Sequence, residues 1–204
     1  MNSIDKQMIT GLILAGGRGT RMGQVDKGLQ AFRGKAMVHH VLTRLAPQTG
    51  AMMINANQNL AIYQNYGVPV WPDLIDGYAG PLAGMHSGMQ HCTTPYLACA
   101  PCDSPLLPEN LVERLSSALV ETGSELAVAV TMETGKDGEA RRQSHPVFAL
   151  MHVALLPKLT KFLQQGGRKV DAWFADLKVV EVLFENKTAF RNINTLQELK
   201  ELES

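Results

Sequence analysis

The sequence predicts an α/β fold: a three-layer sandwich with a mostly parallel, Rossmann-like central sheet. Three observations predict it. Short apolar runs bounded by glycine, proline or polar residues recur along the chain, as strands covered on both faces require. Segments of helical periodicity lie between them, and strand–helix alternation is the pattern of a parallel sheet with helices on its faces. The 204 residues suit one domain, 1–204, which at this size buries roughly 70% of its unfolded surface.

The first strand is expected over Met8–Leu14, followed by a glycine-rich loop. Further buried strands are expected at Ala51–Ala56, Val68–Trp71, Tyr96–Ala100 and Leu126–Thr131. Helices fit near 37–45, 59–65, 82–91 and 109–121. In the last of these, Leu111, Leu115, Ala118 and Leu119 mark one face, and Pro108 suits the first helical position. After Thr131 the rhythm changes. Residues 133–144 are polar, charged and glycine-containing, and read as a mobile loop. His145–Leu150 then reads as a strand, 153–165 as a helix and Lys178–Leu183 as a late strand. Thr195-Leu-Gln-Glu198 is a capping-box signature opening a terminal helix.

Composition excludes several function classes. Nineteen basic residues balance nineteen acidic ones, which is no footprint for nucleic acid. The first seven residues carry an acid at position 5 and no apolar stretch, so no signal peptide is expected. No Asp, Glu, Lys or Arg lies between Asp76 and Asp103, but four glycines and three prolines there argue against a membrane span. Three cysteines (Cys92, Cys99, Cys102) cannot all pair, so a reduced, cytoplasmic chain is expected.

The chemistry concentrates in a few places. Ala15-Gly-Gly-Arg-Gly-Thr-Arg-Met-Gly23 follows the first strand, and its glycines let backbone N–H groups approach a phosphate. Arg18, Arg21 and Lys27 bring three cations within ten residues. The loop is neither a dinucleotide fingerprint nor a Walker A loop. Met22 stands where the third glycine should be, and Gly28 to Gly34-Lys35 is one residue too long, with Ala36 in place of Ser/Thr. Asp103 sits at the carboxyl end of a buried strand, where open α/β sheets place ligands, and an acid there suits magnesium on a nucleotide phosphate. Cys99 and Cys102 flanking that strand end read as packing residues rather than a redox or zinc pair, because a strand precedes them and the spacing is irregular. Asn55 and Asp73 end two other strands on the same edge of the sheet. Asn192 and Asn194 alternate in an extended segment and point the same way. His145 starts a strand after the polar loop and is a candidate for the cleft wall, whereas His39 and His40 read as helix surface.

Taken in order, these segments resemble the molybdenum cofactor guanylyltransferases of the nucleotidyltransferase superfamily. The resemblance rests on Leu14-Ala-Gly-Gly17, Arg21-Met-Gly23, Asp26-Lys-Gly28, Ile54-Asn-Ala-Asn57, Asp73, Gly80-Pro-Leu-Ala-Gly84, Cys102-Asp-Ser-Pro105 and Asn192-Ile-Asn-Thr195. Leu196 departs from it, where the family often has proline. The resemblance implies a nucleotide-diphospho-sugar transferase-like fold and transfer of GMP from GTP to the phosphate of molybdenum-carrying molybdopterin, with Mg²⁺, by a cytoplasmic monomer. It implies GTP contacts at Leu14, Ala15, Gly16, Lys27, Asn55, Asp73 and Asp103, with Asp103 also on the metal and Arg21, Lys27 and Asp103 in catalytic roles. It sets the Gly80–Gly84 turn and the 133–145 segment toward the pterin, and implies apo-molybdoenzymes or their chaperones as recipients. Two rivals share parts of the pattern. Sugar-1-phosphate nucleotidyltransferases share the glycine-rich loop, and cytidylyltransferases for the same cofactor typically carry Leu-Ala-Ala-Gly there.

Overall fold

The structure is a computed structural model that describes residues 4–17, 26–75, 80–135, 137–193 and 198. Its centre is a seven-stranded sheet in the order β5-β4-β1-β6-β8-β7-β9. The strands are β1 (Ile9–Leu14), β4 (Ala51–Asn55), β5 (Val70–Trp71), β6 (Tyr96–Pro101), β7 (Leu126–Thr134), β8 (Ala140–His152) and β9 (Val179–Leu183), and β2 (Ala31–Phe32) with β3 (Lys35–Ala36) forms a separate hairpin. The pairs β4–β5, β1–β4, β1–β6 and β7–β9 are parallel, while β8 runs antiparallel to both of its neighbours. The sequence expectation of a mostly parallel sheet therefore holds, with one reversed strand inside it.

The apolar runs are continuous because both faces are covered. Helix α1 (Met37–Leu45) buries Met37, Val38, Val41 and Leu45, and α4 (Leu111–Thr122) buries Leu111, Val112, Leu115 and Leu119. Val38, Val41, Leu111 and Leu115 pack with Ile9, Ile13 and Ile54 of the sheet in one core cluster. On the opposite face, α3 (Pro81–His91) and α5 (Leu156–Gln164) pack Leu82, Met85, Leu159 and Leu163 against Leu12, Met53 and Leu97. Two short helices complete the chain, α2 (Leu60–Gln64) and α6 (Val170–Phe174). No helix among the described residues is long and apolar enough to cross a membrane.

Three expectations need correction. Residues 133–134 and 140–144 are strand rather than loop: β7 and β8 continue as a paired ribbon from Ala129↔His145 to Thr134↔Ala140. The ribbon projects past the covering helices, so its outer residues are exposed and polar, which removes the apolar signal of a strand. Pro108 does not open α4: Leu111 N–H bonds the Pro108 carbonyl in a preceding turn, and Asn110 is the N-cap. The β2–β3 hairpin went unforeseen because its turn carries Arg33 (φ 48°) and Gly34 (φ 77°), and Arg is not the residue usually placed at a positive φ. The terminal capping box, apart from Glu198, lies outside the described residues.

One buried histidine joins the helices of the second face. The Thr160 hydroxyl donates to the Leu156 carbonyl (2.9 Å), so His86 Nε2–H donates to Thr160 Oγ1 (3.0 Å). His86 Nδ1 is buried and has no hydrogen-bond partner among the described residues. Burial holds the His86 pKa below its usual 6.5. A depressed folded-state value means that stability is fully present above pH 6.5 and declines as the pH falls below it. Replacing His86 with Gln keeps a donor toward Thr160 and cannot ionise. The melting temperature of the wild type is expected to fall more than that of His86→Gln between pH 7 and pH 5, and parallel curves would refute this.

Candidate active site

The carboxyl ends of β4, β1 and β6 are aligned by register: Leu14 pairs with Asn55 on one side and Pro101 on the other. The alignment continues one residue further. Ala15 N–H donates to the Asn55 carbonyl (2.8 Å), and Cys102 N–H donates to the Leu14 carbonyl (3.1 Å). The chain runs from β1 to β4 on one flank, whereas β6 lies on the other. The gap beyond β1 and β6 is thus the switch point where open sheets take ligands. Leu14, Ala15 and Gly16 form the exit of β1 at that point. Arg18 and Arg21, and the loop around them, lie outside the described residues.

On the β6 side stands Asp103. The residue is buried, 8% exposed, and Lys27 Nζ approaches its Oδ2 at 3.4 Å. Burial pushes the Asp103 pKa up, and Lys27 pulls it back only in part. The turn around it is fixed from the far end of the chain. Ile193 N–H donates to the Asp103 carbonyl (2.9 Å), and Ser104 Oγ donates to Asn192 Oδ1 (2.8 Å). Ile193 is fully buried with Phe32 and Met37, which anchors that segment. Of the Asn-x-Asn pair, Asn192 therefore reaches the site turn, and Asn194 lies outside the described residues.

On the β4 side a closed polar network forms. Asn55 Nδ2 donates to Asp73 Oδ1 (2.9 Å) and to the Trp71 carbonyl (3.1 Å). Asn57 Nδ2 donates to Asp73 Oδ2 (2.8 Å) and to the Gly16 carbonyl (3.3 Å), and Asp73 N–H donates to Asn57 Oδ1 (2.9 Å). Asn55, Asp73 and Gly16 are thus brought together through Asn57. Asn57 was not foreseen as a site residue, although Asn55-x-Asn57 has the same alternate spacing as the later asparagine pair. Two glycines make room for this network. A Cβ on Gly16 would stand 2.8 Å from Asn57 Nδ2 and 3.0 Å from Asn55 Oδ1, and one on Gly84 would overlap Asn55 Oδ1 and the Leu14 side chain.

The remaining candidates resolve differently. Cys99 and Cys102 are free and buried, facing opposite core clusters. Burial pushes both thiols far above their usual range, so neither is a nucleophile. Among the described residues no three His, Cys, Asp or Glu side chains gather as a metal cage. His145 lies in β8, accepts or donates at Thr131 Oγ1 (2.8 Å) and stacks on Phe190. His40 bonds the Phe32 carbonyl at 2.7 Å rather than sitting free on the helix surface.

Comparison with known proteins places this geometry. Residues 11–179 match the family model described as the MobA-like NTP transferase domain. The chain is 57% identical over 194 residues to the molybdenum cofactor guanylyltransferase of Ralstonia nicotianae, covering 95% of each chain. Among solved structures, molybdopterin-guanine dinucleotide biosynthesis protein A from Archaeoglobus fulgidus superimposes with a TM-score of 0.76 at 23% identity, covering 95% of this chain and 96% of that one. The 4-diphosphocytidyl-2C-methyl-D-erythritol synthase of Anaerococcus prevotii shares the fold at a TM-score of 0.73 and 14% identity, covering 98% of both.

The packing around Asn55 carries a prediction. Ala at position 84 would gain about 1 kcal/mol of helix propensity over Gly. Overpacking in a core costs about 1–3 kcal/mol, and here the obstructing amide is fixed by two hydrogen bonds. Gly84→Ala is expected to lose up to about 2 kcal/mol in urea unfolding. A stabilised variant would show that Asn55 is not held as described.

Proposed function

The chain belongs to the MobA-like NTP transferase family, and we infer that it transfers GMP from GTP to the phosphate of molybdenum-bearing molybdopterin, releasing pyrophosphate and making the guanine dinucleotide form of the cofactor. The observation that carries the reading is the Lys27–Asp103 pair at the switch point of the sheet, in a chain similar to such transferases over nearly its whole length. The turnover test is direct. The protein is incubated with molybdopterin, Mg²⁺ and each nucleoside triphosphate in turn, and pyrophosphate release with GTP alone is the expected result.

The chemistry asks for little beyond positioning and charge. The acceptor is a phosphate monoester carrying about −1.5 to −2 charges at neutral pH, so no group must take a proton from it. One of its oxygens forms a bond to the α-phosphorus of GTP. The bond from that phosphorus to the α,β-bridging oxygen breaks, and pyrophosphate leaves with the electron pair. The obstacle is repulsion between two anions, which preorganised cations and N–H donors overcome. Lys27 is the described cation at this edge, and the backbone N–H groups of Gly16 and Gly17, which follow the exit of β1, are proposed to add to it. Arg21 is proposed to assist from the same loop.

Magnesium fits the donors present. The ion is commonly held by one or two carboxylates plus substrate phosphates rather than by a protein cage, and a single desolvated carboxylate stands here. Asp103 would hold Mg²⁺ together with phosphate oxygens of GTP, and the bound ion would neutralise charge on the transferring phosphate. On the other flank, Asp73 and Asn55 are proposed to meet the base. Guanine offers N1–H and an amino group, which match carboxylate and amide oxygens, whereas cytosine presents an acceptor at the corresponding ring nitrogen. The reaction is proposed to run in the cytoplasm, and delivery to apo-molybdoenzymes or their chaperones would follow it.

Two outcomes are expected. Asp103→Asn keeps the size of the side chain and removes the charge, so the variant should fold but lose most activity, with the deficit deepest at limiting Mg²⁺. Near-normal transfer under those conditions would remove Asp103 from the metal site. Gly16→Ala should lower kcat/KM for GTP by roughly tenfold or more, since its Cβ would press on the Asn55 and Asn57 amides, without creating a CTP enzyme, because an added methyl group discriminates by only about 1–3 kcal/mol. Equal efficiency with CTP would move the base determinant to Gly16.

A further inference from the structure

Lys27 follows Asp26, whose carboxylate is held by residues distant in sequence. Asp26 caps the 3₁₀ turn Lys27–Leu29, with its Oδ1 accepting from Gly28 N–H at 3.2 Å. The same oxygen accepts from the Tyr63 hydroxyl at 2.6 Å, and Oδ2 accepts from Asn59 Nδ2 at 3.0 Å. Tyr63 is fully buried, in α2, with its ring in the core cluster shared with Ile13, Ile54 and Cys102. Gly28 lies flush in this arrangement. A Cβ there would stand 2.5 Å from Tyr63 Oη and 3.1 Å from Cys102 Sγ. The turn that carries Lys27 is thereby wedged between α2 and the residue preceding Asp103.

We propose that Tyr63 and Asn59 act through Asp26 as positioning residues that fix the Lys27 ammonium beside Asp103 for the transferring phosphate. The inference rests on the guanylyl-transfer reading above and adds to it the part played by α2. The geometry has the features of a support rather than of generic packing. The bond at 2.6 Å has the length of a charge-assisted hydroxyl–carboxylate bond, which is stronger than a neutral one. Burial, with Cys102 and Asp26 adding to it, pushes the Tyr63 phenol far above its usual range, so it remains a donor at every working pH. Asn59 takes a left-handed backbone conformation (φ 53°) at the start of α2 and makes no capping bond to that helix, its side chain reaching Asp26 instead. All three bonds converge on one carboxylate whose only covalent neighbour downstream is Lys27. Lys27 itself reaches 3.4 Å from Asp103, a separation that a small shift of the turn would change.

The test separates positioning from stability. Tyr63→Phe removes one hydroxyl and leaves the ring in place. In the full-length enzyme it is expected to lower kcat roughly tenfold, with KM for GTP changed less, as for a contact that matters mainly in the transition state. In a Lys27→Ala background the same substitution should cost less than about twofold, since the group it positions is gone. Asn59→Gly keeps the left-handed conformation, removes the donor, and should show the same dependence on Lys27. It also carries the test if Tyr63→Phe does not fold. Full kcat in both variants, or an equal loss with and without Lys27, overturns the proposal. A wild type that releases no pyrophosphate from GTP overturns the transfer reading, and this inference with it. A wild type that turns over normally confines any failure to the role of Tyr63 and Asn59.

Discussion

A buried carboxylate at the end of β6 is the constraint around which the rest of the structure is arranged. Asp103 is only 8% exposed, and an ionised carboxylate out of water is costly unless something offsets the charge. Lys27 offsets part of it at 3.4 Å, but burial still dominates and the carboxyl remains harder to ionise than in water. In the proposed reaction this desolvated carboxylate would take a hard cation brought in with a triphosphate. The surrounding structure serves to keep Asp103 where it is. Parallel register aligns β1 and β6, and Cys102 is tied to Leu14. Asn192 and Ile193 return from the far end of the chain to brace the turn.

Most of the sheet was readable in the sequence because its strands are covered on both sides. A strand such as Ile9–Leu14 has no solvent face, so it shows as an unbroken apolar run. The same rule explains the failures. Where β7 and β8 leave the layered core, Arg141, Arg142 and Gln143 are exposed, and hydrophobicity no longer reports the hydrogen bonding that makes them a strand. The β2–β3 hairpin has two residues per strand, too short for any period to register. Helix α6, with five residues and one buried anchor at Trp173, fails for the same reason.

The site divides in the same way. Asp103, Asn55 and Asp73 were identifiable because each stands at or just after a strand end, and topology alone sends those ends to one edge. Asn57, Ser104, Asp26, Tyr63 and Asn59 were not. What ties them to the site is hydrogen bonds between residues 16 to 88 positions apart, such as Asn57 with Asp73 and Ser104 with Asn192, and such bonds leave no local periodicity. Tyr63 is a fully buried core aromatic. Only the position of its hydroxyl, against Asp26, gives it a second role.

The two flanks of β1 follow opposite electrostatic rules. On the β4 side both Asp73 oxygens already accept an amide hydrogen, and Asn57 closes the loop back onto the Asp73 backbone. Such a network costs little to bury and holds its acceptor atoms in fixed directions before a ligand arrives. Each carboxylate oxygen keeps a further lone pair, so a base edge with two donors can be added without breaking a bond. On the β6 side the balance is left incomplete, with one ammonium facing a desolvated carboxylate. In the proposed reaction, a cation carried by the nucleotide's phosphates would add positive charge there, and those phosphates include the reacting group. On the proposed reading, recognition would draw on a surface that is satisfied in advance, whereas catalysis would draw on one completed only when nucleotide and cation are both present.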